Sequence, residues 1–280
     1  MILDGKNLRD KILTDLKKQV DKMVKKPTLA VILVGEDPAS QIYVNNKNKK
    51  AQEIGIKSIV IKYPTDTEEK IILNKIEELN KDEDINAILV QLPLPKHISK
   101  SNIINAIDPK KDVDGFTPYN FGKLFSGEKP YAYPCTPKGI LLLLEEYNID
   151  LDGKKVVIVG RSNIVGKPLS IMMLNKNATV TVCHSHTKNL EQITKTADVL
   201  VSAVGENIIE EKMLKSDCIV VDVGIFKDST GRTRGDVDFE NASKIASYIS
   251  PVPGGVGPMT IASLMLNTVE LANQQLLSAD

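Results

Sequence analysis

A surplus of charge of either sign is missing from this chain: Lys plus Arg total 36 and Asp plus Glu total 36 among 280 residues, a formal charge of zero near pH 7. A field that sums to nothing gives no reason to expect nucleic acid or an anionic membrane as partner. Cysteine is scarce as well. Cys135, Cys183 and Cys218 are odd in number, far apart and outside any CxxC or zinc-type spacing, which points to reduced thiols in a cytoplasmic compartment and to no metal site. Long apolar runs are absent: charges interrupt each of them, and MILDGKNLRDKILTDLKK lacks the continuous apolar region of a signal peptide. A soluble protein without a membrane span is expected. The length that remains is enough for a large core and favours two domains over one.

Apolar periodicity organises that length. Leu8, Ile12, Leu16, Val20 and Met23 recur at three- or four-residue spacing with charges between them, the pattern of an amphipathic helix. The runs at 29–34, 56–63 and 87–91 are short and β-branched or apolar, with helix-length segments between them, and predict a βαβαβ block with a parallel sheet. Residues 101–120 pass from a short helical pattern into Asp/Pro/Gly-rich chain, and the domain boundary is placed near their end. Beyond a helix over 137–149, strands at 154–160 and 178–184 and runs beginning at Val199 and Cys218 form a second α/β sheet. A last helix over 261–276 either finishes this domain or crosses back to brace the first.

VVIVGRSNIVGKPLSIMML has the strand, turn and helix context of a phosphate-binding loop. Gly160 permits close approach of a phosphate, Gly166 lets the helix pack closely, and amides at the helix start face the anion. Ser162 stands where the usual fingerprint has its middle glycine, and the same glycines also fit a tight βα turn with no ligand. An NAD-selective site presents an acid about 20 residues after the first glycine. Here that region reads VTVCHSHTK, without one. His184, Ser185 or His186 can border a ribose, and Arg161 can neutralise a 2'-phosphate, so NADP is favoured over NAD. For His186 an ordinary exposed position suffices.

On a helix over Gln41–Gly55, Tyr43, Lys47, Ala51 and Ile54 share one face, with Val44 beside them. Lys47 lies inside the apolar arc, Lys49 projects away from it, and Lys50 lies near its edge. A flat ring one turn from an ammonium group suits a planar substrate and proton transfer. The alternative is a lysine that buries its stem and sends its charge outward. Gln91, just after the third strand in QLPLP, can orient an amine or cap local backbone. In KDVDGF, Asp112 and Asp114 can divide between stabilising a turn and facing a polar heterocycle, and an Asx-turn explains either without function. PGGVGPMT closes around a ligand or serves as a rigid helix restart. Thr136 can cap a helix beginning at Pro137, and Cys135 has no neighbouring base.

Taken together, YVxxKxK at Tyr43–Lys49, QLPLP at Gln91–Pro95, KDVDGF at Lys111–Phe116, CTPKG at Cys135–Gly139, GRSNIVGKP at Gly160–Pro168 and PGGVGPMT at Pro253–Thr260 closely resemble the bifunctional methylenetetrahydrofolate dehydrogenase/methenyltetrahydrofolate cyclohydrolase family, in family order and over almost the whole chain. The resemblance implies two α/β domains around a cleft. Residues 1–118 would form the folate and catalytic domain, 119–257 a Rossmann-like NADP-binding domain, and 258–280 a helix returning to the first. It implies a homodimer, a reduced folate as substrate and NADP as cofactor. Tyr43 would frame the folate, Lys47 would be the principal catalytic residue, Gln91 would orient it and Asp114 would hydrogen-bond the pterin. Arg161 and Ser185 would contact the NADP phosphate region. Gly160, Ser162, Ile164 and Gly166 of the turn, and Thr136, would be further cofactor-side contacts.

The implied chemistry is hydride transfer from the methylene bridge to NADP+, assisted by the ring nitrogens, then addition of water to the methenyl carbon and opening to 10-formyltetrahydrofolate with Lys47 moving protons. Three readings compete with it. A monofunctional dehydrogenase would lack the hydrolysis, an NADP-dependent dehydrogenase of the shikimate type would not turn over folate, and a non-enzymatic binding module would bind without forming product.

Overall fold

The computed structural model describes residues 1–277. They divide into two compact units, one of Lys11–Cys135 with the described residues from Ser263 onward, the other of Met1–Asp10 with Thr136–Ala262. This grouping differs from the 1–118, 119–257 and 258–280 division expected from sequence, for identifiable reasons. Leu3 N–H donates to Ile249 O and Ile249 N–H to Met1 O, both at 2.9 Å, so the first residues extend the second unit's sheet. Residues 119–135 stay with the first unit, where Tyr131 N–H donates to Asn120 Oδ1 at 3.0 Å and Asn267 Nδ2 donates to Tyr133 O at 2.8 Å.

The chain opens with α1 (Gly5–Lys22), followed by β1 (Thr28–Val34), α2 (Pro38–Glu53), β2 (Lys57–Tyr63), α3 (Glu69–Lys81), β3 (Ala87–Val90), α4 (Lys100–Ala106) and α5 (Pro118–Phe125). The first unit's sheet is parallel with order β2-β1-β3. All seven residues of central β1 are buried, as a strand covered on both faces requires, whereas edge strand β2 is buried only in part. Ile32, Ile72, Ile76, Ile88 and Ile103 anchor the core between this sheet and α3 and α4, each such side chain contributing about 1.5–3 kcal/mol of burial. Because β1 has β2 on one side and β3 on the other, consecutive connections leave it in opposite directions. That makes the carboxyl ends of β1 and β3 the natural ligand edge.

The second part runs α6 (Cys135–Glu146), β4 (Lys155–Val159), α7 (Gly166–Leu174), β5 (Thr179–Cys183), α8 (Leu190–Thr194), β6 (Val199–Ser202), a 3₁₀ turn (Glu211–Met213), β7 (Ile219–Asp222), β8 (Phe226–Lys227), β9 (Thr233–Arg234), α9 (Phe239–Ala242), β10 (Tyr248–Ile249) and α10 (Val256–Leu277). Five parallel strands take the order β10-β7-β6-β4-β5. The order reverses at β4, which pairs with β5 on one side and β6 on the other, the Rossmann-like arrangement. Val157, Leu200 and Val220 of the central strands are buried with Ile209 and Ile249. The long helix α10 contributes its residues from Ser263 onward to the first unit, the return expected from sequence. The protein is thus a two-domain α/β chain. No helix among the described residues is long and apolar enough to cross a membrane.

Candidate functional site

In the first unit, α2 starts at an N-cap whose Asp37 side chain accepts from Ser40 N–H at 2.7 Å, with Pro38 in the first turn. Ser40, Val44 and Ala51 are its buried face. Lys47 lies one turn from both Val44 and Ala51 and is half-buried, while Lys49 is exposed and Lys50 pairs with Glu53 at 2.7 Å. Tyr43, one turn before Lys47, is 45% exposed, so it borders the buried face and does not lie within it, a shift from the sequence expectation. Packing centred on Val44 and Ala51 rotates it outward.

Lys47 Nζ donates to Gln91 Oε1 at 3.0 Å, and Gln91 Nε2 donates to Leu92 O at 2.6 Å. The amide is therefore held by its own neighbour, which turns its oxygen toward the ammonium group. Gln91 directly follows β3, on the ligand edge that the strand order defines. The KDVDGF segment runs beside the same strand: Ile88 N–H donates to Lys111 O at 2.7 Å, and Ile88 bridges Asp112. The two aspartates divide as follows. Asp112, 1% exposed, accepts from Thr117 N–H at 2.7 Å and Asn120 Nδ2 at 3.0 Å, which makes it the turn's own support. Asp114 is half-buried, and burial pushes its carboxyl above the ordinary carboxylate range; the charge of Lys47 opposes that rise, Asp112 adds to it, and a hydrogen bond from Cys135 lowers it. Lys47, Gln91 and Asp114 thus form one cluster. Cys135 is buried and donates to Val113 O at 3.4 Å, and Asn267 donates to the same carbonyl at 2.8 Å. No motif in the sequence marked Asn267, whose place depends on the return of α10.

In the second unit, β4 leads into Gly160, with φ +120°, where a Cβ would lie 2.5 Å from Ala203 O; a Cβ on Gly166 would lie 2.0 Å from Gly160 O. Side chains at either position would force the turn apart. Ser162 Oγ accepts from Val165 N–H at 3.1 Å, and no side chain caps the first turn of α7. Within that turn Lys167 N–H already donates to Ser162 O at 3.1 Å and Pro168 carries no N–H, which leaves the Gly166 amide to face an anion. Gly160, Arg161, Ser162, His184, Ser185, Ala203, Val204, Glu206 and Ile208 are among the residues around a cavity of about 430 Å³. Nothing acidic lies between Cys183 and Asn189. His184 Nδ1 accepts from His186 N–H at 3.2 Å, and desolvation, then the charge of Arg161, then His186 hold the His184 imidazole below its ordinary value.

Four of the sequence-predicted cofactor residues, Gly160, Arg161, Ser162 and Ser185, line this cavity. Gly166 supports the turn from behind. Ile164 is 37% exposed on the same turn, and Thr136 lies elsewhere, its Oγ1 3.0 Å from that of Thr260 in the PGGVGPMT segment. Sequence reasoning missed Ala203, Val204, Glu206 and Ile208. They follow β6 at the carboxyl edge beside the strand-order reversal, the signal that locates them. A second hollow, of about 330 Å³, lies along α6 and holds the Lys176–Glu145 ion pair at 3.0 Å over apolar residues, with no residue of these motifs. Among the described residues no cluster of His, Cys, Asp or Glu is placed to hold a metal ion.

Fold and site together define a two-domain protein with a Rossmann-like dinucleotide domain and a lysine-centred cluster on a separate parallel sheet. Residues 3–114 match the tetrahydrofolate dehydrogenase/cyclohydrolase catalytic domain, and residues 134–276 the NAD(P)-binding domain of the same family. The chain belongs to the tetrahydrofolate dehydrogenase/cyclohydrolase family. It is 54% identical to the bifunctional protein FolD of Hydrogenobaculum sp. (strain Y04AAS1) over 277 residues, covering 98% of this chain and 99% of that protein. The FolD protein of Aquifex aeolicus is 53% identical over 275 residues, covering 96% and 94%. Among solved structures, the bifunctional FolD of Campylobacter jejuni is 49% identical with a TM-score of 0.96, covering 98% and 99%. The Trypanosoma brucei enzyme complexed with NADP cofactor and inhibitor is 34% identical with a TM-score of 0.94, covering 99% and 98%.

Proposed function

We propose that the chain oxidises 5,10-methylenetetrahydrofolate with NADP+ to the 5,10-methenyl form and hydrolyses that product to 10-formyltetrahydrofolate. The 3.0 Å contact from Lys47 Nζ to Gln91 Oε1 carries the reading, because a lysine held by a neutral acceptor at a ligand edge is the group that hydrolysis needs. The full-length similarity to bifunctional relatives supports both reactions.

The residues around the 430 Å³ cavity fit NADP+. Arg161 and Ser185 supply donors for a 2'-phosphate where an NAD-selective site has an acid, and the Gly166 amide at the start of α7 suits the pyrophosphate. Glu206 comes from the turn after β6, not from the strand end where such an acid stands. When bound, NADP+ supplies the hydride acceptor. Tyr43 frames the flat pterin, and Asp114 holds its polar edge. The ring nitrogens of the folate push the hydride out, so the first step asks the protein for alignment and no strong base. In hydrolysis Lys47 moves protons between the added water and the departing ring nitrogen, and Gln91 keeps Nζ directed at that carbon. Ile164, on the same turn, joins the cofactor side of the proposal, whereas Thr136, with its hydroxyl on Thr260, stands away from this cavity. A homodimer in a cytoplasmic setting completes the reading of the molecule, and the burial of all three cysteines, none of them in a disulfide, accords with reduced thiols.

Purified protein given methylenetetrahydrofolate and NADP+ should form methenyl product and NADPH together. Supplied methenyl substrate should open without nucleotide. Oxidation with hydrolysis no faster than buffer would leave a monofunctional dehydrogenase, and neither reaction would leave a binding protein.

A further inference from the structure

The wall of the 430 Å³ cavity formed by Val204, Glu206 and Ile208 belongs to a turn with little regular structure of its own, and what holds it comes from a distant part of the chain. Asp236, with no exposed surface, accepts from Val204 N–H at 2.7 Å, Gly205 N–H at 2.8 Å, Glu206 N–H at 3.0 Å and Ser202 Oγ at 2.8 Å. Its main-chain carbonyl accepts from Ile208 N–H at 2.9 Å and Ile209 N–H at 3.0 Å. Nearly every amide from 204 to 209 is thus hung on one residue. Both oxygens of its carboxyl act as acceptors, an arrangement that only a carboxyl group can offer to three successive amides and a hydroxyl.

Asp236 is itself fixed. Its N–H donates to Asp222 Oδ1 at 2.9 Å, and Asp222 also accepts from Val237 N–H at 3.0 Å and Gly224 N–H at 3.2 Å. There is no slack around either carboxyl: a Cβ on Gly224 would fall 1.6 Å from Asp236 Oδ1, and one on Gly235 would fall 2.0 Å from Asp222 Oδ2. At the other end the turn bears on the phosphate loop, since Ala203 O occupies the space a Cβ on Gly160 would take. Asp236 touches no lining space of its own, yet it sets where that wall stands relative to Gly160.

We infer that Asp236 is a positioning residue for nucleotide binding, its side chain setting the width of the seat by locking the 203–206 turn against Gly160. The inference rests on the reading of this cavity as the NADP+ seat. Because Asp236 sets where the wall stands and does not itself line the cavity, both NADP+ and NAD+ depend on it alike.

The test is Asp236→Asn in the full chain, which keeps the main-chain bonds and replaces one acceptor by an NH2 group facing amide donors. Calorimetric titration with NADP+ should give a Kd at least tenfold above wild type, with KM for NADP+ and for NAD+ raised by similar factors. Turnover at saturating NADP+ and nucleotide-free methenyl hydrolysis should change less than threefold. Unchanged Kd in the variant overturns the inference, and so does an equal fall in hydrolysis, which marks a general structural role. Gly205→Ala is the second variant. Gly205 has φ +90° and nothing within 4 Å of an added Cβ, so alanine strains the turn without crowding it. A threefold or greater rise in KM for NADP+ is expected, and no rise overturns the inference even where Asp236→Asn does not fold. Wild-type protein that binds neither nucleotide removes the reading of the cavity itself, an outcome distinct from normal wild-type binding with unaltered variants.

Discussion

Lys47 and Lys49 are two residues apart and identical in chemistry, and α2 gives them different surroundings. Lys47 stands between Val44 and Ala51 on the packed face and reaches Gln91, whereas Lys49 is exposed. Lys47→Gln should lower methenyl hydrolysis at least 100-fold, within the range a positioned proton-transfer group supplies, with the Kd for NADP+ within twofold of wild type. The decay of methenyl absorbance measures the first and calorimetry the second, and undiminished hydrolysis in the folded variant would sink the role. On the nucleotide side, Arg161 lines the cavity beside His184 and Ser185. Arg161→Ala removes a charged phosphate donor worth about 1.5–3 kcal/mol. NADP+ should bind roughly 10- to 100-fold more weakly, with NAD+ little changed, and equal losses for both nucleotides would reject the assignment.

At the scale of elements, the chemistry-bearing residues cluster where strands end. Gly166 begins α7 directly behind the Gly160 carbonyl, and Gly166→Ala puts a methyl group 2.0 Å from that oxygen. The start of α7 must then move. Both the melting temperature and the affinity for NADP+ should fall, and a variant with wild-type values would show that the turn yields more easily than its backbone contacts indicate. Asp222 at the end of β7 gives a pH-dependent test. Burial raises its carboxyl from 3.8 to about 7, against the lowering by amides of Asp236 and Val237. The folded protein therefore holds a proton there that the unfolded chain releases at lower pH. Through this group, stability falls as pH rises from about 4 to about 7 and is level above, each pKa unit being worth about 1.4 kcal/mol. Asp222→Asn should remove that part of the slope in urea-unfolding midpoints between pH 5 and 7; an unaltered slope would place the titration elsewhere. The β8–β9 hairpin belongs to this scale too. Its strands of two residues each carry no period that a sequence could show.

For the molecule as a whole, the homodimer reading predicts sedimentation at about twice the 30.8 kDa chain mass at micromolar concentration, and a single species at the chain mass would reject it. The amino-acid sequence by itself determined the two parallel sheets, since β-branched runs separated by helix-length segments leave few other ways to bury both strand faces. It also determined the Gly160 turn and the distinction of Lys47 from Lys49, both local matters of backbone freedom and helical angle. It could not reach interactions made across long separations. The assignment of residues 1–10 to the second unit depends on strand pairing with Ile249, the support of Val113 and Tyr133 by Asn267 depends on the return of α10, and the seating of Val204–Glu206 on Asp236 joins groups about thirty residues apart. Only the tertiary structure decided these, because a hydrogen bond between distant segments leaves no periodic trace in either one and exists only once each unit has folded and closed the chain between them.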